Sequence, residues 1–293
     1  MDLQNAAVSG QATDRLGRRR LVAAIFLALA TSLGACATSS ETVERAPAQL
    51  DASDAPSRLR VADRMRAEGA YESALNVYRQ AAVALPNQSA PRIGEGDVLT
   101  ALGDYGQAIE AYNAALRLEP KSAAALRGLA VALMRNGQPR LAHEPIGRLQ
   151  QIAATDPRTY SLAGVAWDLE GDHAAAQAQY RLGLAQVPTD PGLSINLALS
   201  LALSGDFTRA EALLEAPVQR PEATMALRQN LALVYGLAGD RANATKIGRL
   251  DLNAAAVDNN LDYYETLRSM APDARARALL IAPAPGSGSV ERL

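Results

Sequence analysis

Residues 103–120 read GDYGQAIEAYNAALRLEP, and four of these positions recur through most of the 293-residue chain. The glycine at the start of this stretch belongs to an evenly spaced series of six: Gly69, Gly103, Gly137, Gly171, Gly205 and Gly239. Five residues after each glycine stands an alanine: Ala74, Ala108, Ala142, Ala176, Ala210 and Ala244. Two further columns recur in three units: Tyr78, Tyr112 and Tyr180, and Pro86, Pro120 and Pro188. A fixed period of about 34 residues predicts an array of helical repeats.

Each recurring column has a physical reason. Glycine at the turn closes the first helix of a unit in a left-handed conformation without a Cβ clash. Alanine in the second helix lies where the two helix axes approach most closely, and a larger side chain would force them apart. Proline falls just past the second helix and cannot continue it. We therefore expect each unit to be two antiparallel helices joined by a tight turn.

This pattern resembles the tetratricopeptide repeat (TPR) over residues 55 to about 253, and Tyr160, Gly164 and Trp167 complete it in the fourth unit. The resemblance implies an all-α, right-handed superhelical solenoid whose inner wall is made of first helices. We expect about six repeats over residues 57–252, capping helices over 253–282 and a disordered tail over 283–293.

Three segments complicate the pattern. Residues 193–203, LSINLALSLAL, alternate apolar and small residues at a period of two, although the register of the repeat favours a helix whose second face is also covered. Pro145 and Pro217 fall within second helices, which should be kinked or short. We interpret units one, two and four as regular and units three, five and six as degenerate. Beyond Leu250 we expect a helix, a break near Ala271-Pro272 and a second short helix, which either cap the solenoid or fill its groove.

The first 35 residues resemble a lipoprotein signal peptide. Arg18-Arg19-Arg20 precedes thirteen mostly apolar residues, about 20 Å of helix, which is shorter than the roughly 30 Å hydrocarbon core of a membrane. The stretch Leu33-Gly34-Ala35-Cys36 resembles the bacterial lipobox and contains the only cysteine of the chain. The resemblance implies cleavage before Cys36, which then carries a diacylglycerol and an N-acyl chain. An ordinary signal peptide with a chance cysteine is the alternative.

The remaining chain would be held near a membrane by residues 36–56, which we expect to form a flexible tether. Ala37, where an aspartate could follow the lipidated cysteine, agrees with the outer-membrane sorting that the resemblance implies, on the periplasmic face. Without residues 1–35 the chain keeps 25 basic and 29 acidic residues, a mildly acidic balance that gives no indication of nucleic-acid binding.

The sequence contains few candidates for catalytic or ligand-binding residues. His143 and His173 do not form a metal-binding pair, and no phosphate-binding loop or nucleophile elbow is present. We interpret Asp168 and Glu170 as solvated helix ends. The sequence therefore predicts a scaffold that is not an enzyme and uses no cofactor or metal other than the lipid on Cys36.

The TPR resemblance places a partner groove on the inner face of the first helices. The columns that usually face it are occupied by Ile93, Asp97, Arg127, Val131, Met134, Arg135, Arg158, Ser161, Val165, Asp168, Ile195, Leu199, Leu203, Gln229 and Leu233. Asn196 and Asn230 are candidates for binding a guest backbone. The lysine and asparagine clamp that some family members use for a C-terminal carboxylate is missing from these columns. An apolar floor with three arginines suits an apolar segment that carries acidic residues.

The lipobox, the tether, the six repeats and the ending LNAAAVDNNLDYYETLR, residues 252–268, resemble the TadD-type TPR lipoproteins of the tight-adherence (Flp) pilus assembly system. The resemblance implies assistance to a secretin or another pilus component. An adaptor in outer-membrane protein assembly or cell-envelope maintenance stays open as an alternative. A periplasmic hydrolase is a third possibility, which the search for a catalytic site opposes.

Overall fold

The computed structural model describes residues 54–281, and all regular structure in that range is α-helical. Twelve helices form six consecutive pairs, followed by two more. In chain order they are α1 (Ala55–Ala67) and α2 (Tyr71–Ala84), α3 (Ala90–Leu102) and α4 (Tyr105–Leu118), α5 (Ala123–Arg135) and α6 (Pro139–Ile152), α7 (Pro157–Leu169) and α8 (His173–Gln186), α9 (Pro191–Leu203) and α10 (Phe207–Val218), α11 (Met225–Ala238) and α12 (Arg241–Gly248), α13 (Ala254–Ser269) and α14 (Pro272–Leu280). The signal peptide, Cys36, residues 36–53 of the tether and the tail lie outside the described residues.

The turn within each pair is closed by the recurring glycine. All six of these glycines have a positive φ, between 76° and 88°. Side chains with a Cβ rarely adopt this left-handed conformation, so glycine is favoured at the turn. The period of the sequence thus reflects a backbone requirement that returns once in every repeat, and the predicted turn geometry is confirmed.

The recurring alanine lies in the interior of every pair. All six alanines are buried, with at most 2 % of their surface exposed. Successive pairs are joined through the aromatic column: the ring of Tyr112 in α4 lies between Gly96 of α3 and Gly128 of α5, where a Cβ on either glycine would collide with the ring. The small residues of the first helices therefore make room for the rings of the second helices.

The first helices form the inner layer. Each of α3, α5, α7 and α9 packs against the first helix of the pair before it and of the pair after it, whereas among the described elements the second helices contact only their neighbours in the chain. An array in which only one layer has such lateral contacts curves with that layer inside. The inner surface of α5, α7, α9 and α11 is therefore the concave one.

Three helices, α6, α9 and α10, correct or refine the expectations from sequence. Pro145 does not shorten α6, which keeps 14 residues like α4 and α8, whereas the shortest second helix, α12, contains no proline. Pro217 lies one residue before the end of α10, so it removes little of that helix. The alternating segment of residues 193–203 is helical in α9, whose surroundings are α7, α8, α10, α11 and α14.

The two C-terminal helices separate in space. The chain breaks between Ser269 and Pro272, at the position that the sequence predicts. α13 packs on α11 and α12 and so covers the end of the array, and the ring of Tyr264 lies against Gly236 of α11. α14 instead contacts α7 and α9 on the inner surface. One helix thus caps the solenoid and the other enters its groove.

Candidate protein-binding groove

A pocket of about 360 Å³ opens on the concave surface, between the inner helices and α14. Its walls come from four consecutive inner helices, α5, α7, α9 and α11, and from the end of α14. The lining residues are Arg127, Val131, Arg158, Ser161, Leu162, Val165, Gly192, Ile195, Asn196, Leu199, Ala226, Asn230, Leu279 and Leu280.

The repeat register builds the floor of this pocket. Val131, Val165 and Leu199 follow one another at the repeat period, so they occupy the same position on α5, α7 and α9. Because equivalent helices stack side by side, one column of the sequence becomes one continuous stripe across the groove. Ile195, one turn before Leu199, widens the stripe. The floor is therefore apolar over three consecutive repeats.

Two arginines of the pocket lie near the N-terminal ends of α5 and α7 and bind the same carboxylate, that of Asp156. Arg127 Nη2 donates to Asp156 Oδ2 over 2.8 Å, and Arg158 Nε donates to Asp156 Oδ1 over 3.0 Å. The same carboxylate accepts the backbone N–H of Arg158 and so caps α7. Two guanidinium groups against one carboxylate leave this rim with a net positive charge.

The pKa of Asp156 reflects these contacts. Burial by itself would raise the pKa of this carboxyl, but the hydrogen bonds from the side chain and backbone of Arg158, together with the charges of Arg158 and Arg127, lower it below the ordinary value. The carboxylate is therefore ionised at neutral pH and holds both guanidinium groups in place.

Asn230 lines the pocket and carries a buried hydrogen-bond acceptor without a donor among the described residues. Its side chain is only 6 % exposed, and its Nδ2 donates to the carbonyl oxygen of Ala226 over 2.8 Å. Its Oδ1 is buried and has no donor among the described residues. A buried acceptor without a partner costs free energy, so a ligand N–H that reached Oδ1 would gain a hydrogen bond at this point.

Comparison with known proteins agrees on the architecture. A family model described as a TPR repeat matches residues 96–137. The fold is similar to a tetratricopeptide repeat protein from Parabacteroides merdae (TM-score 0.60, 16 % identity, 72 % of this chain and 84 % of that one) and to pilF of Pseudomonas aeruginosa (TM-score 0.55, 16 % identity, 72 % and 98 %). MamA of Desulfovibrio magneticus RS-1 is also similar (TM-score 0.51, 22 % identity, 58 % and 94 %). None of the curated proteins matches the chain in sequence.

The described residues have the tetratricopeptide-repeat fold. The predicted fold class, an all-α TPR superhelix, is confirmed. At identities of this size the likeness concerns the fold alone. A TPR solenoid presents its inner helices as an extended concave binding surface, and the pocket described above lies on that surface.

The structure brings nine of the sequence-predicted groove residues together around the pocket and leaves eight outside it. Met134 and Leu233 are buried in the core of the TPR solenoid, and Ile93 and Leu203 pack against that core. Arg135, Gln229, Asp97 and Asp168 also lie outside the pocket. Gln229 donates to Asp251 over 3.3 Å. The predicted groove residues that line the pocket thus belong to α5, α7, α9 and α11.

Asp97 has a role between repeats. Its Oδ2 accepts from Arg66 Nη1 over 2.6 Å and its Oδ1 from the Tyr112 hydroxyl over 2.8 Å. Burial raises the pKa of Asp97, although both donors act in the opposite direction. The carboxylate therefore joins α1, α3 and α4.

Asp168 and Glu170 are not solvated helix ends, so that interpretation is wrong. Asp168 is completely buried and accepts hydrogen bonds from Tyr180 and Ser200, with His173 Nδ1 2.7 Å from Oδ1. Burial raises the pKa of this carboxyl, against the effect of these hydrogen bonds. Glu170 lies 2.7 Å from His143 Nε2 and accepts from Arg140 over 3.1 Å, so it links α6 to the end of α7.

The Asp168 cluster does not have the geometry of a hydrolase site. The Ser200 hydroxyl donates to the carboxylate and not to the imidazole, and Ser200 is fully buried, so it has neither an activating base nor access to substrate. Within residues 54–281, no group of histidine, cysteine, aspartate or glutamate side chains could hold a metal ion. In the same range no helix is both long and apolar enough to cross a bilayer.

Sequence reasoning missed five of the lining residues. Leu162 lies one and two repeat periods before Asn196 and Asn230, and Gly192 and Ala226 follow Arg158 at the same interval, so the register itself contained the signal for these three. Leu279 and Leu280 of α14 follow no repeat period. Nothing in the local pattern indicated which surface that helix would contact.

Proposed function

We propose that this chain is a lipid-anchored, non-catalytic TPR scaffold that binds a segment of a partner protein in its concave groove. The lipobox at Cys36 supports anchoring at the periplasmic face of the outer membrane. The resemblance of residues 252–268 to the TadD-type lipoproteins supports a role in assembling or localising a part of the tight-adherence pilus machine, with a secretin as one candidate partner.

The observation that carries the binding role is the pocket between α5, α7, α9, α11 and α14. Its floor is apolar and its rim has a net positive charge. These features complement an apolar segment that carries an acidic residue. The apolar floor would supply most of the affinity, while the arginines would set the orientation and the rate of association.

The test replaces residues of the pocket floor whose substitution should leave the chain folded. Val165 is buried, so a charge there would unfold the chain; Val131 and Ile195 are only partly buried and are better targets. We expect Val131→Asp with Ile195→Asp to abolish pilus assembly in cells that carry this variant as their only copy, because the aspartates would solvate the floor. Circular dichroism of the purified variant checks that its helices are intact.

A matched control places the same charges on the outer surface. Val83 and Leu141 belong to second helices and are 77 % and 57 % exposed, so Val83→Asp with Leu141→Asp should leave pilus number unchanged. Normal piliation with the folded groove variant would refute the proposed function. Loss of pili with the control variant would place the working surface on the second helices.

A further inference from the structure

The helix α14 presents one apolar face to the groove. Ala276, Leu279 and Leu280 are spaced i, i+3 and i+4 and are buried, and the two leucines form part of the pocket wall. Residues with this spacing lie on one side of a helix. That side meets α7 and α9, the inner helices of the fourth and fifth repeats.

The buried side chains that α14 places against α7 and α9 are apolar, while its Arg277 lies beside Gly137, at the turn that follows α5. Within residues 54–281, no ion pair joins its charged side chains to α7 or α9. Its polar anchor points the other way: Arg275 donates to the carbonyl oxygens of Leu267, Arg268 and Met270 over 2.8 to 3.1 Å, which ties α14 to the end of α13. The hydrogen bonds of Arg275 therefore hold α14 to the cap and not to α7 or α9.

α14 has only nine residues. A helix of this length is not stable in water by itself, because nucleation costs more than so few hydrogen bonds return. Its order depends on the surface that it covers. In this respect α14 resembles a peptide ligand that becomes ordered when it binds, although it belongs to the same chain.

The groove continues where α14 ends. Leu279 and Leu280 form one wall of the pocket, and the opposite walls reach Arg158, Gly192 and Ala226 in the first turns of α7, α9 and α11. α14 thus covers part of the concave surface and leaves the cationic end open. The acidic residue of α14, Asp273, precedes Leu280 by seven residues, roughly 10 Å along the helix axis, so it is far from that end.

We propose that α14 is an internal ligand which occupies the docking site of a partner helix. The partner segment is a short amphipathic helix with the same apolar face as α14, one alanine followed by two leucine-like residues. It continues past that face with an acidic residue that pairs with Arg127 or Arg158. This inference rests on the proposed binding role of the groove and names the chemistry of its ligand.

The acidic residue gives the partner its advantage over α14. The two arginines share a single carboxylate, so a second carboxylate at the rim meets uncompensated positive charge. α14 contributes no acid there. A partner helix that supplies one can therefore displace a ligand that has the benefit of being tethered.

The experiment measures binding of a fluorescein-labelled peptide of residues 271–281, APDARARALLI, to the full chain by fluorescence anisotropy. In the parent, α14 competes with this peptide. In Leu279→Ser with Leu280→Ser, α14 loses its apolar face, and the peptide should bind at least 10-fold more tightly. Leu182→Ser, an exposed leucine on α8, is the matched control and should bind like the parent.

A second peptide, APDARARALLIAEE, tests the charge. It should bind the double-serine variant at least 3-fold more tightly than the first peptide at low salt. That gain should disappear in 0.5 M salt or when Arg127→Ala and Arg158→Ala are added. An equal affinity of the two peptides would contradict the predicted acidic residue.

Two results would overturn the inference. One is a folded double-serine variant that binds neither peptide better than the parent does. The other is loss of the helical circular dichroism signal in both the double variant and Leu280→Ser alone, which would make α14 a structural element. Peptide binding together with normal piliation of the Val131 and Ile195 variant would instead refute the proposed function and leave the internal ligand in place.

Discussion

The Tyr180 hydroxyl donates a hydrogen bond of 2.9 Å to the carboxylate of Asp168, and neither side chain is exposed to solvent. Ser200 of the next repeat donates to the same carboxylate over 2.7 Å. A single acid therefore joins α7, α8 and α9, and it does so in the interior, where an unpaired polar group is costly.

We expect Asp168→Ala to lower the free energy of unfolding by about 3 kcal/mol, because it leaves the two hydroxyl groups buried without an acceptor and opens a small void. The measurement is chemical denaturation followed by circular dichroism. Asp258→Ala, an exposed position in α13, should change stability by less than about 0.5 kcal/mol. Equal midpoints for the two variants would show that the cluster adds nothing to stability.

Two glycines within helices should respond in opposite directions to alanine. A Cβ on Gly128 would collide with the Tyr112 ring, whereas a Cβ on Gly106 would meet no atom within 4 Å. We expect Gly128→Ala to destabilise the chain by about 1 to 3 kcal/mol through overpacking. Gly106→Ala should stabilise it by about 0.5 to 1 kcal/mol, because alanine loses less backbone entropy in a helix. Thermal unfolding of both variants beside the parent provides the comparison; a shift of the same sign in both would contradict the packing described for Tyr112.

The sequence predicted the parts of the fold that a fixed period determines. Because the repeat has a constant length, Val131, Val165 and Leu199 must occupy equivalent helices, and this places them together without any knowledge of the contacts between helices. The same argument placed Asp97 and Asp168 on the inner helices, but it could not reveal that tyrosines of the second helices bind their carboxylates. Hydrogen bonds of this kind depend on side-chain reach across a packed interface, which a register does not contain.

The packing of the C-terminal segment could not be predicted from the sequence for a different reason. After Leu250 the period fades, so the apolar residues of α13 and α14 predict helices but give no partner for them. Leu279 and Leu280 bury themselves on α7 and α9, which belong to the fourth and fifth repeats and lie far earlier in the chain. The surface to which an amphipathic helix outside the repeat binds can therefore be identified only from the three-dimensional structure.

Cys36→Ala should move the protein from the membrane fraction to the soluble periplasmic fraction. Three acyl chains, at about 0.8 kcal/mol per buried methylene, would hold the parent almost irreversibly. Cell fractionation with a high-salt wash, beside mass spectrometry of the mature parent protein, measures both the location and the modification. Retention of the variant in washed membranes, or an unmodified Cys36 in the parent, would contradict the lipid anchor.

The ion pair between Arg228 and Asp251 should make stability depend on pH at the last repeat. Arg228 Nε donates to Asp251 Oδ2 over 2.8 Å, and this hydrogen bond lowers the pKa of the carboxyl. A lowered folded-state pKa adds stability above the unfolded value of about 4, and this contribution disappears as the pH falls through the folded value. Asp251→Asn should therefore be less stable than the parent in urea denaturation at pH 7, and the difference should shrink by pH 2.5. Asp262→Asn, an exposed position in α13, should be as stable as the parent at both pH values. If Asp251→Asn is still less stable than the parent by the same amount at pH 2.5, packing and not charge accounts for the contribution of Asp251.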